Sequence, residues 1–75
     1  MEVAKIPIRG EMIRLGQLLK LADVIDSGAE ARSYLLAGSV TVNGESETRR
    51  GRQLHPGDVV VAGGDELQVT AAVRP

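Results

Sequence analysis

Three arginines, Arg49, Arg50 and Arg52, fall within four positions and form the one basic cluster of the sequence. A guanidinium binds phosphate oxygens through paired hydrogen bonds, so such a cluster is typical of a surface that binds a polyanion. If this arm is extended, alternation puts Glu45, Glu47 and Arg49 on one face and Arg50 and Arg52 on the other, which predicts an acid-free basic edge. A solvated charged face is the other ordinary explanation, so the cluster alone does not decide.

Two further arginines are predicted near helix starts, where the helix dipole is positive and favours anions rather than cations. Arg14 begins the first predicted helix and Arg32 lies in the first turns of the second. A docked phosphate would explain both positions. Alternatively, Arg14 pairs with Glu11 or lies along the apolar face, while Arg32 pairs with a nearby carboxylate or is simply solvated.

The sequence contains no plausible catalytic or metal site. His55 is the sole histidine and there is no cysteine, so the usual zinc ligand sets and nucleophile pairs are missing. We interpret His55 as a solvated turn residue and Asp58 as a turn acceptor. Gly63 and Gly64 lie between predicted strands, which is typical of a hairpin turn and not of a phosphate loop. The sequence therefore predicts a protein that is not an enzyme and has no cofactor.

Composition predicts one small globular domain spanning residues 1–75. The chain is 43% hydrophobic and 25% charged and has no disulfide to stabilise it. It has no apolar run of about 20 residues and no signal-peptide pattern, which predicts a cytoplasmic protein without a membrane contact. The net charge of −1 does not itself favour a polyanion partner, so any such argument depends on local charge.

The first half of the chain predicts a strand followed by two helices. Residues 3–8 favour a short edge strand, because Pro7 removes one ladder hydrogen bond. Apolar residues at helical spacing predict a helix over residues 14–22. Ser27 and Glu30 predict a capping box at the start of the next helix, and Gly38 its end. The buried faces of the two helices are assigned to Leu15, Leu18, Leu19 and Ala22 in the first, and to Ala31, Tyr34 and Leu35 in the second.

The second half predicts strands joined by tight turns. Asn43-Gly44 is the strongest short hairpin signal, and it follows the alternating residues 40–42. Residues 45–52 are polar and predict an exposed strand or loop, while Val59–Val61 and Leu67–Thr70 predict the last two strands, which could leave an open sheet edge. The order β-α-α-β-β-β-β predicts an α+β fold of two packed helices on a small antiparallel sheet.

Several segments together resemble the S-four RNA-binding domain, named for ribosomal protein S-four. They are Arg14-Leu15 opening a Leu-rich helix, Ser27 with Glu30-Ala31-Arg32, the run 38–44 (Gly-Ser-Val-Thr-Val-Asn-Gly), Arg49-Arg50-Gly51-Arg52 and Gly57-Asp58-Val59-Val60. The resemblance covers residues 6–69 and is greatest to the small stand-alone bacterial members. It implies the alpha-L RNA-binding motif, in which two helices and the following hairpin form an RNA-binding surface.

The resemblance also implies which residues bind RNA. Departures from the family pattern are Ala29 and Arg32, where Gly and Lys are typical, and Gln53, which replaces a usual Lys. Asn43 has two explanations, since the turn alone accounts for it. The candidate RNA-binding residues are Arg14, Lys20, Ser27, Arg32, Asn43, Arg49, Arg50 and Arg52.

The sequence thus predicts a monomeric, non-catalytic protein that binds structured RNA, ribosomal or transfer, through phosphate and shape contacts. The ribosome and RNA-processing proteins are further candidate partners. The alternative is a protein-interaction module of a ribosome-associated or RNA-processing assembly without direct RNA contact, which the acidic pI of 5.7 favours. A contiguous positive face containing Arg14, Arg32, Arg50 and Arg52 would favour RNA. Dispersed arginines paired with Glu45, Glu47 and Asp26 would favour a protein partner.

Overall fold

The computed structural model describes residues 3–72, which form two helices and two sheets. Both predicted helices are present, and so is each predicted strand, although the polar arm is a strand only at its start. Two very short strands were not predicted. In chain order the elements are β1 (Val3–Ile8), β2 (Ile13–Arg14), α1 (Leu15–Leu21), α2 (Gly28–Leu36), β3 (Val40–Val42), β4 (Glu45–Ser46), β5 (Gln53–Leu54), β6 (Val59–Ala62) and β7 (Asp65–Ala71).

The larger sheet has the strand order β1-β7-β6-β3-β4, and β2 pairs with β5 in a separate ribbon. The α+β class is confirmed. The sheet is mixed rather than wholly antiparallel, because β1 runs parallel to β7, with Val3 opposite Glu66 and Ile8 opposite Ala71. A parallel pair needs a long crossover, and here nearly the whole intervening chain provides it. Local patterns carry no information about such a distant pairing.

The two edges of this sheet are β1 and β4. The prediction of β1 as an edge strand is confirmed, and Pro7 lies where a missing N–H costs least. The prediction that residues 59–61 and 67–70 could leave an edge open is wrong. Strand β7 lies between β1 and β6, and β6 lies between β7 and β3, so both have partners on each side.

One hydrophobic core joins both helices to the sheet. Helix α1 buries Leu15, Leu18 and Leu19 completely, as its periodicity predicts. Helix α2 buries Ala31 and Leu35, with Tyr34 partly buried against the same core. Removing these side chains from water is the main stabilising contribution available to a chain without disulfides, Phe or Trp. The sheet contributes aliphatic side chains from all of its long strands: Ile8, Val40, Val42, Val60, Ala62, Leu67 and Val69.

The start of α2 differs from its prediction. Ser27 is the N-cap residue, but its side chain makes no capping hydrogen bond. Glu30 does reach back over the helix start, where its Oε1 accepts the N–H of Asp26 at 3.2 Å. The reciprocal capping box is therefore wrong, although the helix begins where it was placed.

The predicted hairpin turns are confirmed by their backbone angles. Asn43 and Gly44 have φ values of 51° and 87°, and Gly63 and Gly64 have 58° and 89°. Two successive residues with positive φ characterise the type I′ turn, whose twist matches that of the flanking strands. The first turn sets Val42 opposite Glu45 and so fixes where the polar arm leaves the sheet. No helix within residues 3–72 has the length and apolarity needed to span a membrane.

Candidate functional site

The short β2–β5 ribbon brings the arginine cluster to the start of α1. Arg14 lies opposite Gln53, and Ile13 lies opposite the buried Leu54. Residues 47–52, which we call the arginine loop, connect β4 to this ribbon. The N–H of Arg52 donates to the carbonyl of Arg49 at 3.2 Å and closes a turn within the loop. The arginine loop therefore lies against α1 instead of continuing the sheet.

Loop carbonyls cap the first turn of α1. The N–H of Leu15 donates to Arg52 O and the N–H of Gly16 to Arg50 O, each at 2.9 Å. These bonds satisfy two of the donors that a helix leaves free at its start. A phosphate docked at this helix start, the explanation suggested for the position of Arg14, would therefore not find these two N–H groups free.

Arg14 has a partner that the sequence did not predict. Its Nη1 donates to the carbonyl of Gly51 at 2.9 Å, and its backbone N–H donates to Gln17 Oε1 at 3.2 Å. No described carboxylate pairs with it, so the predicted alternative of a pair with Glu11 is wrong. The guanidinium is held at the junction between the ribbon and the loop.

Gly16 allows this close approach. A Cβ atom at position 16 would lie 3.3 Å from the Cβ of Arg50 and 3.5 Å from that of Ala31. The missing side chain lets α1, α2 and the arginine loop meet at one point. Arg50 consequently starts directly over the place where the two helices contact each other.

A groove of about 340 Å³ opens at this meeting point. Cationic side chains line it from three directions, namely the start of α1 (Arg14), the end of α1 (Lys20) and the loop (Arg50). None of the lining residues, all of which belong to the described chain, is acidic. We call this the cationic groove, and its full lining is Arg14, Gly16, Gln17, Lys20, Gly28, Ala31, Arg50 and Gly51.

The other two arginines of the loop bind a buried carboxylate. Glu47 is only 6% exposed, and its Oε1 accepts Arg52 Nη1 at 2.8 Å. Arg49 donates through Nε to Oε2 at 3.0 Å and through Nη2 to Oε1 at 3.1 Å, a two-point pair. The backbone N–H groups of Thr48 and Arg49 also donate to Oε2, each at 3.0 Å.

This arrangement contradicts the predicted alternation of the arginine arm. Glu47, Arg49 and Arg52 converge, whereas the prediction placed Arg52 on the opposite face with Arg50. The reason is that sheet pairing ends early: the N–H of Glu47 donates to Val40 O at 3.1 Å, and beyond it the chain turns. Alternation of faces applies only to extended chain.

The Glu47 carboxyl is held in its ionised form. Its pKa lies far below the ordinary glutamate value, chiefly because of the side-chain hydrogen bond from Arg49 and the backbone N–H of Arg49, with Arg52 adding to both. Burial alone would act in the opposite direction. The same pair raises the pKa of Arg49. The Glu47 carboxylate and the Arg49 guanidinium therefore stabilise each other as an ion pair.

Both the nitrogen and the oxygen of the Asn43 side-chain amide hydrogen-bond to residues at the start of β6. Its Nδ2 donates to Asp58 Oδ1 at 3.1 Å, and its Oδ1 accepts the N–H of Val59 at 2.9 Å. Asp58 also accepts the N–H of His55 at 2.8 Å, which agrees with its predicted role as a turn acceptor. Burial works to raise the pKa of Asp58, but the hydrogen bonds from His55 and Asn43 outweigh it and lower that pKa.

An Asn43→Ala variant is expected to lose about 1–2 kcal/mol of unfolding free energy, because two hydrogen bonds disappear and the turn keeps a positive φ. Affinity for a polyanion should stay within about twofold, since the side chain is occupied by the protein itself. Thermal unfolding and a binding titration of the same preparation measure both. A large loss of affinity without loss of stability would instead mean that the Asn43 side chain contacts the polyanion directly.

The family model of the S4 domain, also written S-four, matches residues 6–70. The chain belongs to the S4 domain family. The match covers both helices, the hairpin, the arginine loop and the ribbon, so all residues that line the cationic groove lie within it. This membership confirms the resemblance seen in the sequence.

Two bacterial relatives are similar over most of their length. "Probable ribosome maturation protein RlbA" of Bacillus subtilis is 58% identical over 55 residues, which are 73% of this chain and 78% of that one. YbcJ of Escherichia coli is 37% identical over 59 residues, 79% of this chain and 84% of the relative.

The solution structure of YbcJ is described as revealing an αL motif involved in RNA binding. It matches this S4 domain with a TM-score of 0.63 at 32% identity, over 92% of this chain and 86% of that one. The two-helix and sheet architecture is therefore the S4 fold.

Of the eight residues that sequence reasoning assigned to the S4 surface, the structure brings three together in the cationic groove: Arg14, Lys20 and Arg50. Ser27 precedes Gly28 of the groove wall. Arg32 is exposed on α2 outside the groove lining, and within residues 3–72 it pairs with no carboxylate. The remaining three bind within the protein: Arg49 and Arg52 to Glu47, and Asn43 to the hairpin.

Sequence reasoning missed Glu47, Gly16 and Gln17. Glu47 was considered only as a partner of dispersed arginines at a protein interface, and it does pair with Arg49 and Arg52. Its burial was not predicted, although a carboxylate two and five residues before two arginines is a signal for a local ion pair. Gly16 interrupts a predicted helix face, and an isolated glycine inside a helix often marks a close approach. Gln17 caps the backbone N–H of Arg14 from the third helical position, the geometry that had been sought at Glu30.

Proposed function

We propose that this S4 domain protein binds structured RNA, ribosomal or transfer, by receiving its phosphate backbone in the cationic groove. The observation that carries the proposal is the convergence of Arg14, Lys20 and Arg50 on one groove without an acidic neighbour in its lining. Its local field is positive although the net charge of the chain is −1. The name of RlbA and the RNA-binding motif described in YbcJ support the same ligand.

The chemistry of the groove favours phosphates over bases. Tyr34 is the single aromatic residue, and its ring is partly buried against the core, so no ring is offered for base stacking. Guanidinium and ammonium groups bind phosphate oxygens regardless of sequence. The groove therefore suits a folded RNA whose backbone presents several phosphates at fixed positions, rather than a flexible single strand read through its bases.

Under this proposal the protein acts without catalysis, as a cytoplasmic monomer associated with ribosomal RNA or its maturation. Ser27 and Arg32 lie next to the groove and on the exposed face of α2, and they extend the contact beyond the groove itself. Arg49 and Arg52 contribute mainly by holding the loop. A protein-interaction module without RNA contact is the alternative that the binding experiment excludes or supports.

The test is a titration of the purified protein with ribosomal and transfer RNA at several salt concentrations. Three phosphate contacts predict that the logarithm of the association constant falls with the logarithm of salt concentration at a slope of about −3. A single-stranded oligonucleotide of matched length should bind more weakly. Absence of binding at low salt would overturn the proposal and favour a protein partner.

A further inference from the structure

The arginine loop contains one carboxylate at its centre, and its placement is unexpected for a surface that binds a polyanion. Glu47 is 6% exposed and accepts five hydrogen bonds from the loop. Two of these come from the backbone, and three from Arg49 and Arg52. A carboxylate so satisfied determines the path of the chain around it.

Along that path, the carbonyls of the last three loop residues point toward the start of α1. Arg50 O and Arg52 O accept the first helical N–H groups, and Gly51 O accepts the guanidinium of Arg14, each at 2.9 Å. With its carbonyl held by Gly16 and its Cβ against the same residue, Arg50 is confined to the wall of the groove.

The three loop arginines consequently differ in availability. The Arg49 side chain is 74% exposed but is engaged at two points by Glu47, and Arg52 is 31% exposed and engaged once. Arg50 pairs with no carboxylate of residues 3–72 and lines the groove. The loop thus offers a single uncommitted guanidinium.

We propose that Glu47 is the positioning residue of the RNA site, holding the arginine loop through Arg49 and Arg52 so that Arg50 stands over the groove. This inference rests on the proposed function. Glu47 itself touches no RNA under this proposal. Its carboxylate restrains the loop through hydrogen bonds from the loop backbone and from the side chains of Arg49 and Arg52.

The Glu47→Gln variant tests this proposal, because the two explanations predict opposite changes in its affinity for RNA. If charge alone mattered, Glu47→Gln would remove an acid near the site and strengthen RNA binding about twofold, because one repulsive charge disappears within a Debye length. If Glu47 positions Arg50, the same variant weakens binding about tenfold, since one charge-assisted contact is lost. The salt slope then becomes flatter by about one unit.

Glu45→Gln is the matched control. Glu45 lies on the same hairpin, two residues before Glu47, and is exposed. Both variants change the net charge by the same amount. We expect Glu45→Gln to bind RNA slightly more tightly than wild type, with an unchanged slope, and Glu47→Gln to bind more weakly. Glu47→Gln binding as tightly as Glu45→Gln would overturn the inference.

Arg49→Lys supplies a second measurement should Glu47→Gln fold poorly. It preserves the charge of an exposed side chain but cannot make the two-point pair with Glu47. We expect about threefold weaker RNA binding with circular dichroism unchanged, which is a fraction of the effect of losing one full contact. Unchanged affinity would count against the positioning role.

Different results would overturn the proposed function and the role of Glu47. Wild-type protein that binds no RNA overturns the proposed function. Wild-type binding that weakens with salt, together with Glu47→Gln and Glu45→Gln variants that behave alike while folded, overturns only the role of Glu47.

Discussion

A variant in which Lys20 and Arg50 are both replaced by alanine is expected to bind structured RNA on the order of 100-fold more weakly than wild type. The two residues line the cationic groove from α1 and from the arginine loop, and neither is paired with a described carboxylate. Removing two phosphate contacts should also flatten the salt slope by about two units.

The fold should tolerate this change. Both side chains are exposed, and no hydrogen bond to either side chain is present among the described residues. Thermal unfolding should therefore stay within a few degrees of wild type. Arg14 is left in place because its guanidinium holds Gly51, so its removal would confuse a loss of RNA contact with a loss of loop structure.

Lys5→Ala/Arg9→Ala is the control for the groove. Lys5 lies on β1 and Arg9 just after it, both are exposed, and neither lines the groove. The control removes the same formal charge. We expect its affinity to change by less than about threefold, because these charges act only through a screened field. An equal loss in both double variants would mean that overall charge, and not the groove, determines binding.

Replacing Glu47 with glutamine is expected to lower the free energy of unfolding by about 2 kcal/mol at neutral pH, in line with losing hydrogen bonds to a charged group. The amide would place an NH₂ group among five donors, so at least one donor would lose its acceptor. The exposure of Arg49 reduces the effect, because solvent screens that part of the pair. For a domain of this size the loss corresponds to roughly 8–16 °C in Tm.

The Glu47 carboxylate also makes the free energy of unfolding depend on pH. The folded protein holds the pKa of Glu47 far below that of the unfolded chain, so the unfolded chain binds the proton more readily. Stability from Glu47 is therefore complete above about pH 4.3, the ordinary glutamate value, and is lost progressively as the pH falls below it. The lowered pKa of Asp58 adds a loss in the same direction.

Chemical denaturation of wild type, Glu47→Gln and Glu45→Gln between pH 3 and pH 7 measures this. The gap between wild type and Glu47→Gln should be largest at pH 7 and should narrow toward pH 3. Glu45→Gln should follow the wild-type curve, since Glu45 is exposed and has no described ion-pair partner. A constant gap at every pH would show that ionisation of Glu47 is not what stabilises the loop.

Local chemistry in the sequence was enough to predict the two helices, the longer strands and the family. The spacing of Leu15, Leu18 and Leu19 predicted α1, and Asn43-Gly44 predicted the hairpin. Both elements depend on residues that are close together in the chain, so the side-chain spacing and turn preferences that determine them can be read from the sequence. The order of these motifs sufficed to indicate the S4 domain and to name a set of basic residues that contains all three cations of the groove.

Tertiary structure decided which of those residues are available to a ligand. From the sequence, Arg49, Arg50 and Arg52 were all assigned to the RNA-binding surface, and only strand alternation separated Arg49 from the other two. The chain leaves the sheet at Glu47, so the alternation rule does not apply to these residues. The pairing of Glu47 with Arg49 and Arg52 occurs within a loop that turns and packs against α1, and local sequence rules do not describe such a loop. The docking of the loop against α1 and the parallel pairing of β1 with β7 join parts of the chain that are distant in sequence. Only folding brings groups such as the Arg14 guanidinium and the Gly51 carbonyl within hydrogen-bonding distance.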